Sequence, residues 1–143
     1  MTKIRLSHPS DSKRVIEIWR AAVDATHHFL QTEDRLQLDE LICSVLPQAP
    51  LWLAVDDKDQ ALAFMWLEEG HMQALFVHPN QHGQGLGAAL VRHGLGLHPQ
   101  MSTDVNEQNT QALGFYEKMG FRRTGRSELD GQGRPYPLIH LAH

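Results

Sequence analysis

The sequence predicts a mixed α/β domain in which an antiparallel strand meander is fused to a single parallel crossover. Three observations carry that prediction. The chain has 143 residues, enough for one hydrophobic core and too few for two of full size, so residues 1–143 are expected to form one domain. The stretch "LWLAVDDKDQALAFMWLEEGHMQALFV" holds three apolar runs separated by short polar turns, the pattern of neighbouring antiparallel strands. The glycine-rich "VHPNQHGQGLGA" then leads from an apolar run into a helical pattern, and another strand follows, which makes a parallel crossover.

Taken in order, "KIRL" at Lys3 to Leu6 reads as a short strand. Ser10 or Asp11 can cap a helix on which Val15, Ile18, Trp19, Ala22 and Val23 recur at helical spacing. A second helix is expected from about Asp34 to Leu46, with Leu38, Leu41, Ile42, Val45 and Leu46 as its stripe and Pro47 as its stop. The meander strands are Leu51 to Val55, Ala61 to Leu67 and Met72 to Val77, and "DDKD" at Asp56 to Asp59 is a solvated hairpin. After the glycine loop, Leu86, Leu90, His93 and Leu97 share a helical face, and "MSTDV" is the next strand. Asn109 opens a last helix with Ala112, Phe115, Tyr116 and Met119 along one stripe. Gly120 ends it, and "FRRTGRSEL" and "YPLIHLA" supply two final strands. Trp19, Trp52 and Trp66 fall on these faces and are expected to serve the core.

Composition narrows the function. The formal net charge is −4, which provides no general field for nucleic acid and favours a cationic small-molecule or peptide partner over an acidic one. No stretch approaches the roughly 20 apolar residues of a membrane span, and the N-terminus lacks a signal-type apolar segment, so a cytoplasmic protein is expected. Cys43 is the single cysteine, which excludes an internal disulfide; it lies within the second helical pattern and reads as a packed thiol. His78 and His82 have the spacing of helical metal ligands but flank Pro79 in a loop, so no metal site is expected.

The glycine loop is the first functional signal. Gly83, Gly85 and Gly87 allow positive φ and leave no Cβ between the backbone and a ligand, at a helix start whose N–H groups are free for an anion such as phosphate. The same glycines could merely shape a tight turn. A P-loop requires Lys and then Ser or Thr after the last glycine, whereas Ala88 and Ala89 stand there. Gly83-x-Gly85-x-x-Ala88, with Asp104 about 20 residues further on, satisfies a dinucleotide fingerprint and keeps a nicotinamide-dependent oxidoreductase open as an alternative. Against it, that fold wants repeated crossovers, and a meander precedes the only one here.

Two motifs together carry a resemblance. "LFVHPNQHGQGLGAAL" is similar to the strand, bulge and pyrophosphate loop of the GNAT superfamily of acyl-CoA-dependent N-acetyltransferases, and "NEQNTQALGFYEKMGF" is similar to that family's Asn-x-x-Ala-x-x-Phe-Tyr-Glu-Lys-x-Gly-Phe helix. The resemblance spans nearly the whole chain. It extends to a small stand-alone bacterial branch in "VDATHHFL", "LPQAPLWLAV" and "DVNEQN". It implies a twisted mixed sheet of about seven strands with helices on both faces. One position departs from the pattern: His82 stands where the loop's first Gln or Arg belongs, and Gln81 is one place early. Because the phosphate contacts come mainly from backbone N–H groups, binding is expected to survive the change.

The resemblance implies acetyl transfer from acetyl-CoA to an amine, with no metal. Leu75, Phe76 and Val77 correspond to the strand that pairs with the pantetheine arm. Gly83, Gln84, Gly85, Leu86, Gly87 and Ala88 correspond to the pyrophosphate cradle, and Asn109 to an asparagine that contacts the cofactor. Tyr116 corresponds to the tyrosine that protonates the departing thiolate. Chemistry agrees, since attack on a thioester needs a neutral amine, donors for an oxyanion and an acid for sulfur, and a phenol with pKa about 10 is a competent donor. Tyr116 could instead be an ordinary core tyrosine. Asp104 occupies the place where some relatives carry a basic glutamate, and Asn106 could position substrate or a water. Glu69, His71, His27 and His28 could also reach the acceptor mouth, which in the family is shaped by segments corresponding to Asp24 to Leu30 and Arg126 to Tyr136. A non-catalytic acyl-CoA sensor is the other alternative.

Overall fold

Four antiparallel strands come from the apolar runs that the sequence marks: β1 (Lys3–Leu6), β2 (Leu51–Val55), β3 (Ala61–Glu68) and β4 (His71–Val77), each paired with the next. They belong to a computed structural model that describes residues 3–143. Glu69 (φ 50°) and Gly70 (φ 81°) turn β3 into β4, both in the left-handed region that a two-residue hairpin turn requires. β5 (Ser102–Asn106), β6 (Arg122–Ser127) and β7 (Leu138–Ala142) complete a seven-stranded sheet in the order β1-β2-β3-β4-β5-β7-β6. β4 and β5 form its parallel pair.

Helices cover both faces. On one face α1 (Ser12–Thr26) buries Val15, Ile18, Trp19 and Val23 against Leu51, Leu53 and Phe64. α2 (Thr32–Val45) lies beside it and has no fully buried residue, its Leu38 and Ile42 packing only partly on that core. On the other face α3 (Leu86–Leu97) and α4 (Thr110–Lys118) bury Leu86, Leu90, Val91, Leu113 and Tyr116 against Met65, Met72, Val105, Ile139 and Leu141. β3 lies between the two cores, which explains its unbroken burial from Ala61 to Met65.

Several expectations shift. α2 begins at Thr32, two residues early, and Leu46 with Pro47 forms a separate 3-10 turn whose Leu46 is buried. Asp11 precedes α1, yet its carboxylate does not cap the helix; it accepts the His8 N–H at 2.9 Å and a two-pronged contact from Arg5. Asp59 of the expected solvated hairpin also pairs with Arg5, at 2.9 Å. On α3 the buried stripe is Leu86, Leu90, Val91 and Gly94, while Leu97 is half exposed because the helix end runs past the sheet. Gly94 allows that packing: a Cβ there would lie 2.8 Å from Met101 Sδ. Trp19 is buried, with the Arg35 guanidinium 4.8 Å above its ring, but Trp52 and Trp66 are only partly buried.

Candidate active site

The site begins where the sheet comes apart. β4 pairs with β5 only through His71 with Ser102 and Met72 with Thr103. The next residue of β4, Gln73, is a bulge: β3 passes from Leu67 opposite Met72 directly to Trp66 opposite Ala74. Beyond it the two strands diverge, β4 staying with β3 and β5 staying with β7 along its whole length. His78 donates its N–H to the Leu62 carbonyl at 2.9 Å. By the alternation of an antiparallel ladder, Phe76 and Ala74 also face β3, so the backbone polar groups of Leu75 and Val77 face the gap. Leu75, Phe76 and Val77 are all half-buried, as cleft-lining residues would be.

At the far end of β4 the chain turns through Pro79–Gln81, capped by the His78 Nδ1 that accepts the Asn80 N–H at 3.1 Å. It then enters the glycine loop. Gly83 (φ 82°) and Gly85 (φ 77°) are left-handed, and a Cβ at either would meet nothing within 4 Å. Gly87 differs from expectation: it is an ordinary helical residue in α3, its space bounded by Phe115, Val77 and Leu75. None of the backbone N–H groups from Gly83 to Ala88 has a hydrogen-bond partner among the described residues. A run of free donors at a helix start, with open space in front, fits a diphosphate group. His82 is exposed beside it.

Tyr116 projects from α4 into the α3–α4 core, its ring 5.0 Å from that of Phe115 and 5.5 Å from that of Phe121. Its hydroxyl has no hydrogen-bond partner among the described residues, and burial pushes its pKa above the usual tyrosine value, so it stays protonated at neutral pH. Asn109 is the N-cap of α4, with its Oδ1 accepting the Ala112 N–H at 3.1 Å, which leaves its amide nitrogen for any other partner. Asn106 ends β5 and accepts the Asn109 N–H through its carbonyl.

The opposite face holds the polar residues. Val105 and Ile139 point into the α3–α4 core, so their neighbours Asp104 and His140 point the other way. Asp104 Oδ1 lies 2.6 Å from His140 Nδ1, and Asp104 Oδ2 lies 3.4 Å from His71 Nε2. Ser102 Oγ and Ser127 Oγ take the remaining ring nitrogens, at 2.7 Å and 2.6 Å. His71 was a candidate in the sequence; His140 and the two serines were not, and nothing short of the β4–β5, β5–β7 and β6–β7 registers would reveal them. Glu69 sits in the hairpin turn, and His28 is exposed.

An aromatic wall stands on the same face. Phe76 lies 6.2 Å from the ring of His27, whose pKa burial lowers, and Phe29 lies 5.9 Å from Tyr136. Tyr136 is buried; its hydroxyl bonds Asp34 and accepts the Gln31 N–H, tying the loop after β6 to the start of α2. Cys43 lies elsewhere, on α2, 3.5 Å from Asp39 Oδ1 and 3.4 Å from Arg20 Nη2. No helix among the described residues is long and apolar enough to cross a membrane.

Comparison with known proteins agrees with this architecture. A family model for the acetyltransferase (GNAT) domain matches residues 47–123. The peptidyl-lysine N-acetyltransferase YjaB of Salmonella typhimurium is 53% identical over 143 residues, covering 100% of this chain and 99% of that protein. Its counterpart in Escherichia coli K12 is 51% identical over 140 residues, covering 98% and 95%. The solution structure of apo-form YjaB from Escherichia coli superposes with a TM-score of 0.95 at 50% identity, covering 99% of this chain and 97% of that one.

Proposed function

Since the chain belongs to the GNAT family and is an acetyl-CoA-dependent N-acetyltransferase, we propose that it transfers the acetyl group to a primary amine, the side chain of lysine in a protein or peptide. The observation that carries this reading is the parting of β4 from β5 beside a row of N–H groups from Gly83 to Ala88 that have no partner among the described residues. Such a gap accepts an extended arm as an added strand while the loop holds a diphosphate. The relatives' activity on peptidyl-lysine and the net charge of −4 support a cationic acceptor.

In this reading the whole chain works as one domain in the cytoplasm, with no metal. Gly83, Gln84, Gly85, Leu86, Gly87 and Ala88 bind the diphosphate of acetyl-CoA; Leu75, Phe76 and Val77 bind its arm, and Asn109 contacts it through its amide nitrogen. The amine attacks the thioester directly in a ternary complex, and Tyr116 gives its proton to the departing sulfur. The hydroxyl, without a hydrogen-bond partner among the described residues and so free to donate, supports that role. Asp104 receives the amine's proton, and Asn106 holds the acceptor or a water at the strand end. Cys43, bound into the Arg20–Asp39 network, takes no part.

The test is thermal unfolding with acetyl-CoA, CoA and NADH in separate samples, followed by mass spectrometry of a lysine peptide. A ligand at 100 times its dissociation constant adds about 2.7 kcal/mol. A shift with acetyl-CoA and CoA and a gain of one acetyl group on lysine are expected. Binding with no acetylation of any amine would make the protein a sensor, and a shift with NADH alone would overturn the reading.

A further inference from the structure

We infer that His71, Asp104 and His140 act as one proton-holding unit for the acceptor ammonium, with Ser102 and Ser127 as the hydroxyls that let it change charge. The inference rests on the acetyl-transfer reading and concerns how the amine becomes neutral. Five side chains from four strands form a continuous chain, Ser102–His71–Asp104–His140–Ser127, with links of 2.7, 3.4, 2.6 and 2.6 Å. A serine hydroxyl can donate to a neutral imidazole nitrogen or accept from a protonated one. Each ring can therefore gain or lose a proton without losing its serine bond, and Asp104 lies beside the charge in either case.

The placement suits the reaction. The cluster starts at the last rungs between β4 and β5 and lies on the face opposite Tyr116. Side-chain exposures of 31%, 35% and 33% for His71, Asp104 and His140 leave it open to an arriving group. Both nitrogens of His140 are bonded, so His140 is a positioning residue that works through Asp104. The wider link between His71 Nε2 and Asp104 Oδ2 is the entry point for a proton. β4 contributes His71 as the titratable group facing the cluster, β7 contributes His140, and β6 contributes Ser127, next to an Arg126 already paired with Glu107 at 2.6 Å.

The protons balance as follows. An ammonium gives one proton to the cluster and, as the free amine, forms the C–N bond at the thioester carbon. The C–S bond breaks and sulfur takes the Tyr116 proton. The nitrogen's second proton restores Tyr116 through solvent, and the cluster releases the first to water, so one proton leaves per turnover.

The experiment compares pH profiles of kcat/KM for a lysine peptide and for an aryl hydrazine, which is neutral at pH 7. Asp104→Asn is expected to lower the lysine rate about 100-fold at neutral pH, to make that rate climb tenfold per pH unit, and to leave the hydrazine rate and the acetyl-CoA thermal shift unchanged. His140→Gln is expected to show the same pattern more weakly. Equal loss for both acceptors or a wild-type pH profile in Asp104→Asn would overturn the inference while leaving acetyl transfer intact. A wild-type protein inactive on both acceptors would overturn the acetyl-transfer reading itself.

Discussion

Thr103 and Met72 are joined twice: they are the last register partners between β5 and β4, and the Thr103 hydroxyl donates to the Met72 carbonyl at 3.0 Å. The bulge at Gln73 follows at once. One buried threonine therefore marks where the sheet stops being continuous. The added bond holds the apex of the gap while the bulge bends β4 away, so the opening begins at a defined residue instead of fraying.

Tyr116→Phe keeps both ring contacts and removes a hydroxyl that has no hydrogen-bond partner among the described residues. Stability is expected to stay within about 0.5 kcal/mol of wild type, while kcat falls by about 100-fold or more as the proposed general acid is lost. Steady-state kinetics beside thermal unfolding separates the two; a variant with wild-type kcat would remove Tyr116 from the mechanism.

Gly85→Ala places a side chain on a residue with φ 77° and a methyl group in the open space before the loop. The backbone strain is expected to cost about 1 kcal/mol, and KM for acetyl-CoA is expected to rise more than KM for the amine. Calorimetric titration with CoA gives the direct check.

Gly94 and Gly96 lie on the same helix and predict opposite signs. Alanine at Gly96 meets nothing within 4 Å and is expected to stabilise α3 by about 0.5–1 kcal/mol through helix propensity. Alanine at Gly94 comes within 2.8 Å of Met101 Sδ and 3.3 Å of Met65, both fully buried. Overpacking is expected to outweigh propensity there, for a net loss of about 1–2 kcal/mol. Denaturant unfolding of the pair decides the point.

His27 is half-buried near Phe29 and Phe76, and burial lowers its pKa in the folded chain. Below the unfolded value of about 6.5 the unfolded state binds more protons, so stability rises with pH and falls as the medium is acidified towards the lower folded value. His27→Gln is expected to flatten the slope of melting temperature against pH between about 7 and 5. An unchanged slope would assign the acid sensitivity to other groups.

Element order was legible in the sequence because it depends on neighbours along the chain. Apolar periods separated the helix of Val15 to Val23 from the strands at Leu51 to Val77, Gly120 ended α4, and the glycines before Leu86 announced a donor-rich helix start. The family motifs rested on the same short-range spacings and supplied Tyr116 and the loop together.

Only the tertiary structure decided what lies across the sheet. The bulge at Gln73, the two-rung contact of β4 with β5 and the meeting of Asp104 with His140, 36 residues apart, follow from strand register, which a local pattern of apolar and polar residues does not encode. The exposure of Leu97 has the same origin, for a helical stripe predicts which face is apolar but not how far the sheet beneath it extends. Chain-local chemistry thus determined the parts, and long-range pairing decided which polar groups share a cleft.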